Sequence, residues 1–238
     1  MKIKKGRAKS GSDRQLNRQR LINANSTFDV VESYKEIRTN IVFSMAKKGC
    51  KVIAISSSVA GEGKSTTCFN TAITFAETKS KILVMDCDLR RPNINKLLDI
   101  DNSKGLSNVL VGEESVESVI KKTEYPCVDV ITSGVIPPNP AELISSEAME
   151  EVVDKLRDKY DYILVDTPPV YLVTDTMLIT KYVDGVIMVV RQNFVERKIL
   201  QDCVNKLKFA DAKLIGFIFN DVDMSKQRYN YKAGYEYR

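Results

Sequence analysis

The chain has 238 residues, 43% of them hydrophobic and 28% charged, which suits one globular domain with tails or at most two small domains. It contains no histidine, and its five cysteines are scattered without a CxxC pair. This excludes nucleophilic mechanisms that need an imidazole and argues against a disulfide framework, a zinc site or an iron–sulfur site. The formal net charge is +5, and no apolar run approaches the roughly 20 residues of a membrane span, so we expect a cytoplasmic protein.

The basic residues are concentrated at the N-terminus. Residues 1–26 contain eight lysines and arginines against one acid, Asp13, so they carry +7 and leave −2 for the rest of the chain. We predict a flexible basic arm here, which either contacts anionic lipid or nucleic acid or only solubilises the chain. It leads into polar sequence, so it does not resemble a signal peptide. No nucleic-acid partner is expected, because the remaining sequence shows no basic face.

Short apolar runs alternate with helical patterns from residue 51 onward. The predicted strands are residues 51–56, 81–86, 127–132, 161–166, 185–191 and 213–220. The predicted helices are residues 27–47, 64–78, 145–159, 174–182 and 195–208. Most strands are continuous Val/Ile/Leu-rich runs, which is typical of strands covered on both faces. This order predicts an α/β fold with an open parallel sheet and helices on both faces.

A phosphate-binding loop follows the first predicted strand. Residues 59–66 read VAGEGKST and lead directly into a predicted helix, which is the context of a P-loop, although Ser58 stands where the usual pattern has glycine. Lys64 is placed to reach the β- and γ-phosphates of ATP, and the Ser65 hydroxyl to ligate Mg²⁺. The predicted nucleotide-binding residues of the loop are Ala60, Gly61, Glu62, Gly63, Lys64, Ser65 and Thr66.

Three carboxylates are predicted to converge on the same edge of the sheet. Asp86 and Asp88 follow the second predicted strand with their side chains on one side, and Asp166 ends the fourth. Such like charges repel one another unless a cation lies among them, which suits Mg²⁺ held by Ser65, Asp86 and Asp166. One of the carboxylates, most readily Asp88, could instead only cap a turn. The predicted catalytic residues are Lys64, Asp86, Asp88 and Asp166.

Several motifs carry a family resemblance over residues 27–238. The string DCDLRRP at residues 86–92 resembles the Walker A′ motif of MinD/ParA-like P-loop ATPases, and DTPP at residues 166–169 resembles a Walker B motif. Within that superfamily, GVIPPNPAEL at residues 134–143 and ESYKEIR at residues 32–38 resemble segments of the bacterial tyrosine kinases of capsule and exopolysaccharide synthesis. The chain is therefore identified as similar to the CpsD/CapB-type autokinases.

The resemblance implies a Rossmann-like kinase domain over residues 27–223 that uses Mg²⁺ and ATP. It implies transfer of the γ-phosphate to tyrosines in the tail of a neighbouring copy. Asp86 is the candidate acceptor of the phenol proton, because it is predicted near the metal and no histidine is available, although each carboxylate is equally a candidate metal ligand. Residues 224–238 are polar apart from their tyrosines and Met224, so a disordered tail is predicted. The predicted phosphorylation sites are Tyr229, Tyr231, Tyr235 and Tyr237.

The resemblance also implies partners. Similar proteins assemble into rings, such as octamers, through an ExxRxxR helix motif, of which Glu32 and Arg38 match here. Lys35 replaces the first arginine, which keeps the charge but loses the planar bidentate fork. Asn220 resembles an adenine-contacting asparagine, or is only a strand-end turn residue. A membrane adaptor, the cytoplasmic tail of a polysaccharide co-polymerase, is expected as activator at the inner face of the membrane, with a tyrosine phosphatase as a further partner.

Two other functions stay open from the sequence. A positioning ATPase of the MinD/ParA type is expected to carry an extra lysine near the start of the P-loop, where this chain has Ser58 and Val59. A non-enzymatic alternative is a nucleotide-dependent scaffold whose aromatic tail recruits partners. Transfer of labelled phosphate to the tail separates both from a kinase.

Overall fold

The computed structural model describes residues 20–45 and 48–223, which contain one seven-stranded sheet with helices packed on it. The strands are β1 (Lys51–Ser57), β2 (Ile82–Asp86), β3 (Ile120–Lys122), β4 (Val128–Ile131), β5 (Tyr162–Asp166), β6 (Gly185–Arg191) and β7 (Leu214–Asn220). Their order across the sheet is β3-β4-β2-β5-β1-β6-β7. Residues 1–19 of the predicted arm and the predicted tail with its four tyrosines lie outside the described residues.

Six of these strands run parallel and match the predicted apolar runs to within one residue at each end. The α/β prediction is therefore confirmed. The seventh strand, β3, pairs antiparallel with β4, with Ile120 opposite Ile131. Its sequence, IKK, contains two lysines and no apolar run, so the pattern gave no signal for a strand at this edge.

The longer helices also follow the predicted patterns. The helices are α1 (Phe28–Ser44), α2 (Lys64–Ala76), α3 (Ile94–Leu98), α4 (Leu106–Leu110), α5 (Val116–Val119), α6 (Pro140–Ile144), α7 (Glu147–Arg157), α8 (Asp175–Ile179) and α9 (Arg197–Phe209). The helices α3 to α6 were not predicted, because a helix of four or five residues is too short to show the helical period. Within residues 20–45 and 48–223, no helix is long and apolar enough to cross a membrane.

The hydrophobic core lies on both faces of the sheet, because alternate residues of a strand point to opposite sides. In β1, Val52 and Ala54 belong to a cluster with side chains of α7 and α9. Ile53 and Ile55 belong to a second cluster with side chains of α1 and α2. All four β1 side chains are fully buried, which explains why the strand is a continuous apolar run.

The packed part of the chain begins before α1. Leu21 and Ile22 are buried in the cluster that contains α2. The Ile22 N–H donates to Asn70 Oδ1 at 2.9 Å, and Asn70 Nδ2 donates to the Arg20 carbonyl at 3.1 Å. The last residues of the segment predicted as a flexible arm, residues 1–26, are therefore docked on α2, because two apolar side chains leave water there.

Candidate active site

The carboxyl ends of β1, β2 and β5 place three loops side by side. Strand β5 lies between β2 and β1, so the end of β5 adjoins both the P-loop and the loop after β2. The Cys87 N–H donates to the Asp166 carbonyl at 2.8 Å, and the Thr167 N–H donates to the Ile55 carbonyl at 3.1 Å. Ligands of open α/β sheets bind at this edge, and the structure brings the residues predicted in the three loops together there.

The P-loop conformation depends on glycine at two positions. Gly61 and Gly63 have φ angles of +92° and +89°, in the left-handed region that favours glycine. A Cβ atom at Gly63 would also lie 2.2 Å from Asn220 Nδ2. Asn220 itself donates to the Glu62 carbonyl at 2.8 Å. The end of β7 therefore contacts the P-loop directly, while contact of Asn220 with adenine stays a prediction.

The side chain of Glu62 holds the P-loop from within. It is fully buried, its Oε2 accepts the Val59 N–H at 2.8 Å, and its Oε1 accepts the Arg191 N–H at 3.3 Å. One carboxylate oxygen thus binds within the loop, and the other binds the loop to the end of β6. The nucleotide contact of Glu62 stays a prediction, and the backbone of Glu62 is the part that could make it.

Lys64 lies buried among the carboxylates. Its Nζ is 3.1 Å from Asp88 Oδ2 and 3.3 Å from Asp166 Oδ1. Burial lowers the pKa of Lys64, but Asp166, Asp88 and Asp86 outweigh it, so the net effect is a raised pKa. The Lys64 ammonium group therefore offsets the charge of these carboxylates, and Mg²⁺ among them stays a prediction.

Ser65 and Asp166 form the pair of oxygen donors beside it. The Ser65 hydroxyl donates to Asp166 Oδ2 at 2.6 Å, and Asp166 is fully buried. Burial raises the pKa of Asp166, against the opposing effect of Lys64. A hydroxyl and a carboxylate are ligands that Mg²⁺ accepts, with phosphate and water oxygens completing its shell. Within the described ranges, no group of three or more His, Cys, Asp and Glu side chains could hold a metal ion.

Asp86 has a structural role that the sequence did not predict. Its Oδ1 accepts the Asp88 N–H at 3.1 Å, and its Oδ2 accepts the N–H groups of Asn93 and Ile94 at 3.1 Å each. The side chain is fully buried, and burial followed by the charge of Asp166 raises its pKa. Asp86 thus fixes the loop after β2, while its predicted part as a metal ligand stays a prediction.

The loop after β2 is also tied to the segment after β5. Asp88 Oδ1 accepts the Arg91 N–H at 2.9 Å, which turns the loop back beside Lys64. Arg90 donates from Nε and Nη2 to the two oxygens of Asp175 at 2.8 and 3.0 Å. Asp175 is fully buried and was not singled out from the sequence, because an acid in the first turn of a predicted helix has an ordinary explanation.

A cavity of about 700 Å³ opens over these loops, within the range of about 300–1,000 Å³ typical of small-molecule sites. Its walls come from the P-loop, the loop after β2, the segment after β5 and the segment before α1. The lining residues that the sequence reasoning missed include Arg20 and Leu172. Neither belongs to a motif, so no local signal pointed to them.

The predicted assembly residues lie on α1. Glu32 and Lys35 form an ion pair at 2.8 Å. Arg38 Nη1 donates to the Thr74 carbonyl at 2.5 Å and lies 3.4 Å from Glu77 Oε2. Arg38 therefore binds α1 to α2 within one copy, and its contact with a neighbouring copy stays a prediction.

Comparison with known proteins identifies relatives over most of the chain. Residues 50–216 match the AAA domain family. The tyrosine-protein kinase YwqD of Bacillus subtilis is 37% identical over 195 residues, covering 82% of this chain and 82% of that protein. The tyrosine-protein kinase ptk of Acinetobacter johnsonii is 35% identical over 205 residues, covering 86% of this chain but only 28% of that longer protein.

Solved structures agree with these relatives. The chimerical protein CapA2B2 superposes with a TM-score of 0.79 at 33% identity, covering 90% of this chain and 91% of the chimera. The kinase domain of the Escherichia coli tyrosine kinase ETK gives a TM-score of 0.78 at 31% identity, covering 81% of this chain and 75% of that domain. MinD of Pyrococcus horikoshii, complexed with Mg-ADP, gives a TM-score of 0.60 at 28% identity, covering 71% of this chain and 70% of the MinD chain.

The fold, the P-loop cavity and these relatives agree with the resemblance drawn from the sequence motifs. The kinase structures superpose more closely and over more of the chain than MinD does. The chain therefore belongs to the CpsD/CapB-type bacterial tyrosine-protein kinase family, within the MinD-like P-loop proteins.

Proposed function

We propose that this protein is an ATP-dependent tyrosine kinase that phosphorylates the C-terminal tyrosine cluster of a neighbouring copy. The observation that carries the proposal is the buried Lys64, held between Asp88 and Asp166 at the floor of the P-loop cavity. Kinase-named relatives along most of the chain support it. The Mg-ADP complex of MinD supports nucleotide and Mg²⁺ as the ligands.

In the proposed reaction the tyrosine oxygen forms a bond to the γ-phosphorus, and the bond from that phosphorus to the β–γ bridging oxygen breaks. ATP would supply the phosphoryl group and leave as ADP, and bound Mg²⁺ would neutralise part of the phosphate charge. Ser65 and Asp166 would hold the Mg²⁺ through their oxygens, and Lys64 would hold phosphate oxygens, which replace Asp88 as an anionic partner. The phenol proton passes to a carboxylate.

The geometry favours Asp88 over Asp86 as that proton acceptor. Asp88 lines the cavity, whereas Asp86 is fully buried and its oxygens accept three backbone N–H groups. A base must lie within hydrogen-bond reach of the proton that it removes. Asp86 would then act by holding the loop that carries Asp88.

The test of transfer between copies is a mixing experiment with two variant chains, neither of which can label its own tail. One chain carries Lys64→Met and an intact tail, and the other carries an intact P-loop with the four tail tyrosines changed to Phe. We expect ³²P from γ-labelled ATP in the Lys64→Met chain only, and only after mixing. Label in the Lys64→Met chain incubated without its partner would contradict the proposal. Absence of label after mixing, while ATP is hydrolysed, would contradict it too and favour a positioning ATPase.

The proposed partners follow from the family. The cytoplasmic end of a polysaccharide co-polymerase would recruit the kinase to the inner face of the membrane and activate it, and a tyrosine phosphatase would reverse its action. Cyclic phosphorylation would regulate synthesis and export of capsular polysaccharide or exopolysaccharide. The mixing experiment is therefore run with and without that cytoplasmic peptide, and strong activation by the peptide is expected.

A ring-like homo-oligomer, with the octamer as one expected size, is proposed to assemble through α1. The double change Glu32→Ala with Arg38→Ala should shift the mass measured by light scattering toward the monomer. The exposed Glu36 lies on the same helix, so Glu36→Ala serves as the matched control and should leave the mass unchanged. An unchanged mass in the double variant would rule out α1 as the interface.

A further inference from the structure

The segment before α1 brings an arginine to the cavity. Arg20 lines the cavity together with residues of the P-loop and of the loop after β2. Its own backbone is not free to move away, because Asn70 accepts the Ile22 N–H and donates to the Arg20 carbonyl. Asn70 is only 2% exposed, and its bond to Ile22 is buried while its bond to Arg20 is half-buried.

The clamp couples the segment to the P-loop helix. Asn70 and Thr66 are four residues apart on α2 and therefore lie on the same face. Thr66 lines the cavity and is a predicted nucleotide contact. The buried side chains of Leu21 and Ile22 hold the same segment in the core. Arg20 is thereby placed at the cavity by residues that are themselves fixed.

The charge around the cavity indicates what Arg20 would bind. Two of the lining cations are already paired, Lys64 with Asp88 and Arg90 with Asp175. Among the described residues, no ion pair is formed by the guanidinium groups of Arg20 or Arg91. Guanidinium groups bind phosphate through two parallel hydrogen bonds, so a phosphoryl group is the chemistry that suits an arginine at this cavity.

We propose that Arg20 is a phosphoryl-binding residue of this cavity, supplied by the segment before α1 and positioned by Asn70. This inference rests on the proposed kinase function, which supplies two sources of a phosphoryl group. One source is the polyphosphate of the bound nucleotide, and the other is the phosphotyrosine formed on the tail.

The test measures binding by calorimetry on the full chain, so that it needs no phosphate transfer. The probes are Mg²⁺ with a non-hydrolysable ATP analogue, and a synthetic peptide of residues 224–238 phosphorylated at Tyr235. The variants are Arg20→Ala and Arg20→Lys. The matched control is Arg197→Ala, because Arg197 is exposed and lies outside the cavity.

Loss of one charge-assisted contact should weaken binding by about tenfold. We expect this loss for Arg20→Ala, partial recovery for Arg20→Lys, and parental affinity for Arg197→Ala. If Arg20→Ala binds the ATP analogue more weakly, Arg20 binds the nucleotide. If it binds the phosphopeptide more weakly, Arg20 binds the phosphotyrosine product. Unchanged dissociation constants for both probes, or no binding of either probe to the parent, would overturn the proposal.

Failure of the kinase function has a different signature. A chain that binds the analogue through Arg20 but labels no tyrosine in the mixing experiment would retain this inference and lose the kinase. The positioning role of Asn70 is tested with Asn70→Asp, which keeps an acceptor for Ile22 N–H but loses the donor to the Arg20 carbonyl. It should weaken the same probe as Arg20→Ala does, while circular dichroism shows an intact fold.

Discussion

Lys64→Met is expected to reduce phosphate incorporation by about 10²–10³-fold, the loss typical of removing one group that stabilises transition-state charge. Lys64 lines the cavity, and its Nζ lies between Asp88 and Asp166. Methionine has a similar length without the charge. The measurement is the initial rate of ³²P incorporation into the tail, under conditions in which the parent chain is active.

The same change should also destabilise the fold, which the sequence alone did not indicate. Without the ammonium group, the buried carboxylates of Asp86, Asp88 and Asp166 lose their compensating charge. Removing one partner of a buried ion pair costs about 3–5 kcal/mol, so the free energy of unfolding in urea should fall by several kcal/mol. Activity is therefore compared at a temperature at which both chains are folded.

The matched control is Lys198→Met, because Lys198 is an exposed lysine of α9 outside the cavity. Its rate and its unfolding free energy should match those of the parent. Phosphate incorporation by Lys64→Met at the parental rate would remove the P-loop from the mechanism. Full stability without activity would show that another group compensates the carboxylates.

The parts of this site that could be predicted are the ones encoded by neighbouring residues. The P-loop at residues 59–66 is a local string, and Asp86 and Asp166 each end a continuous apolar run. Because parallel strands present their carboxyl ends at one edge, such local signals were enough to predict that the three loops meet. The strand boundaries could be predicted as well, because strands that are buried on both faces are continuous apolar runs.

The missed parts depend on contacts between distant residues. Asn70 binds the backbone of Arg20 across 50 positions, and Arg90 binds Asp175 across 85. Neither pair belongs to a sequence motif, and each residue type is ordinary at its position in the sequence. The same holds for Glu62, whose position in the P-loop suggested a ligand contact, whereas its side chain binds Arg191 N–H at the end of β6.

Asp166→Asn and Asp86→Asn are expected to lower phosphate transfer alike but to change stability differently. Asp166→Asn removes a proposed Mg²⁺ ligand, and Asp86→Asn loosens the loop that carries Asp88, so we expect a loss of about 10²-fold or more in the transfer rate for each. The stability difference arises from their hydrogen-bond partners. Asp166 accepts a hydroxyl from Ser65 and an ammonium N–H from Lys64, and an amide oxygen can still accept from Ser65.

An amide cannot replace the Asp86 carboxylate in this way. Both of its oxygens accept backbone N–H groups, from Asp88 on one side and from Asn93 and Ile94 on the other. An asparagine amide must turn its NH₂ group toward one set of donors, which leaves a buried donor unsatisfied at a cost of about 1–3 kcal/mol. Either change relieves the repulsion between the buried carboxylates of Asp86 and Asp166, whose pKa values are both raised first by burial, so only the hydrogen-bond partners distinguish the two variants.

We therefore expect Asp86→Asn to have the lower unfolding free energy of the two variants. Urea denaturation of the three ligand-free proteins at one pH measures the order directly. The exposed Asp158, directly after α7, gives the control Asp158→Asn, which should match the parent in both stability and transfer rate. If Asp86→Asn proved as stable as Asp166→Asn, the loop after β2 would not depend on the Asp86 carboxylate. If Asp86→Asn alone kept its transfer rate, the position of Asp88 in the site would not depend on the Asp86 carboxylate.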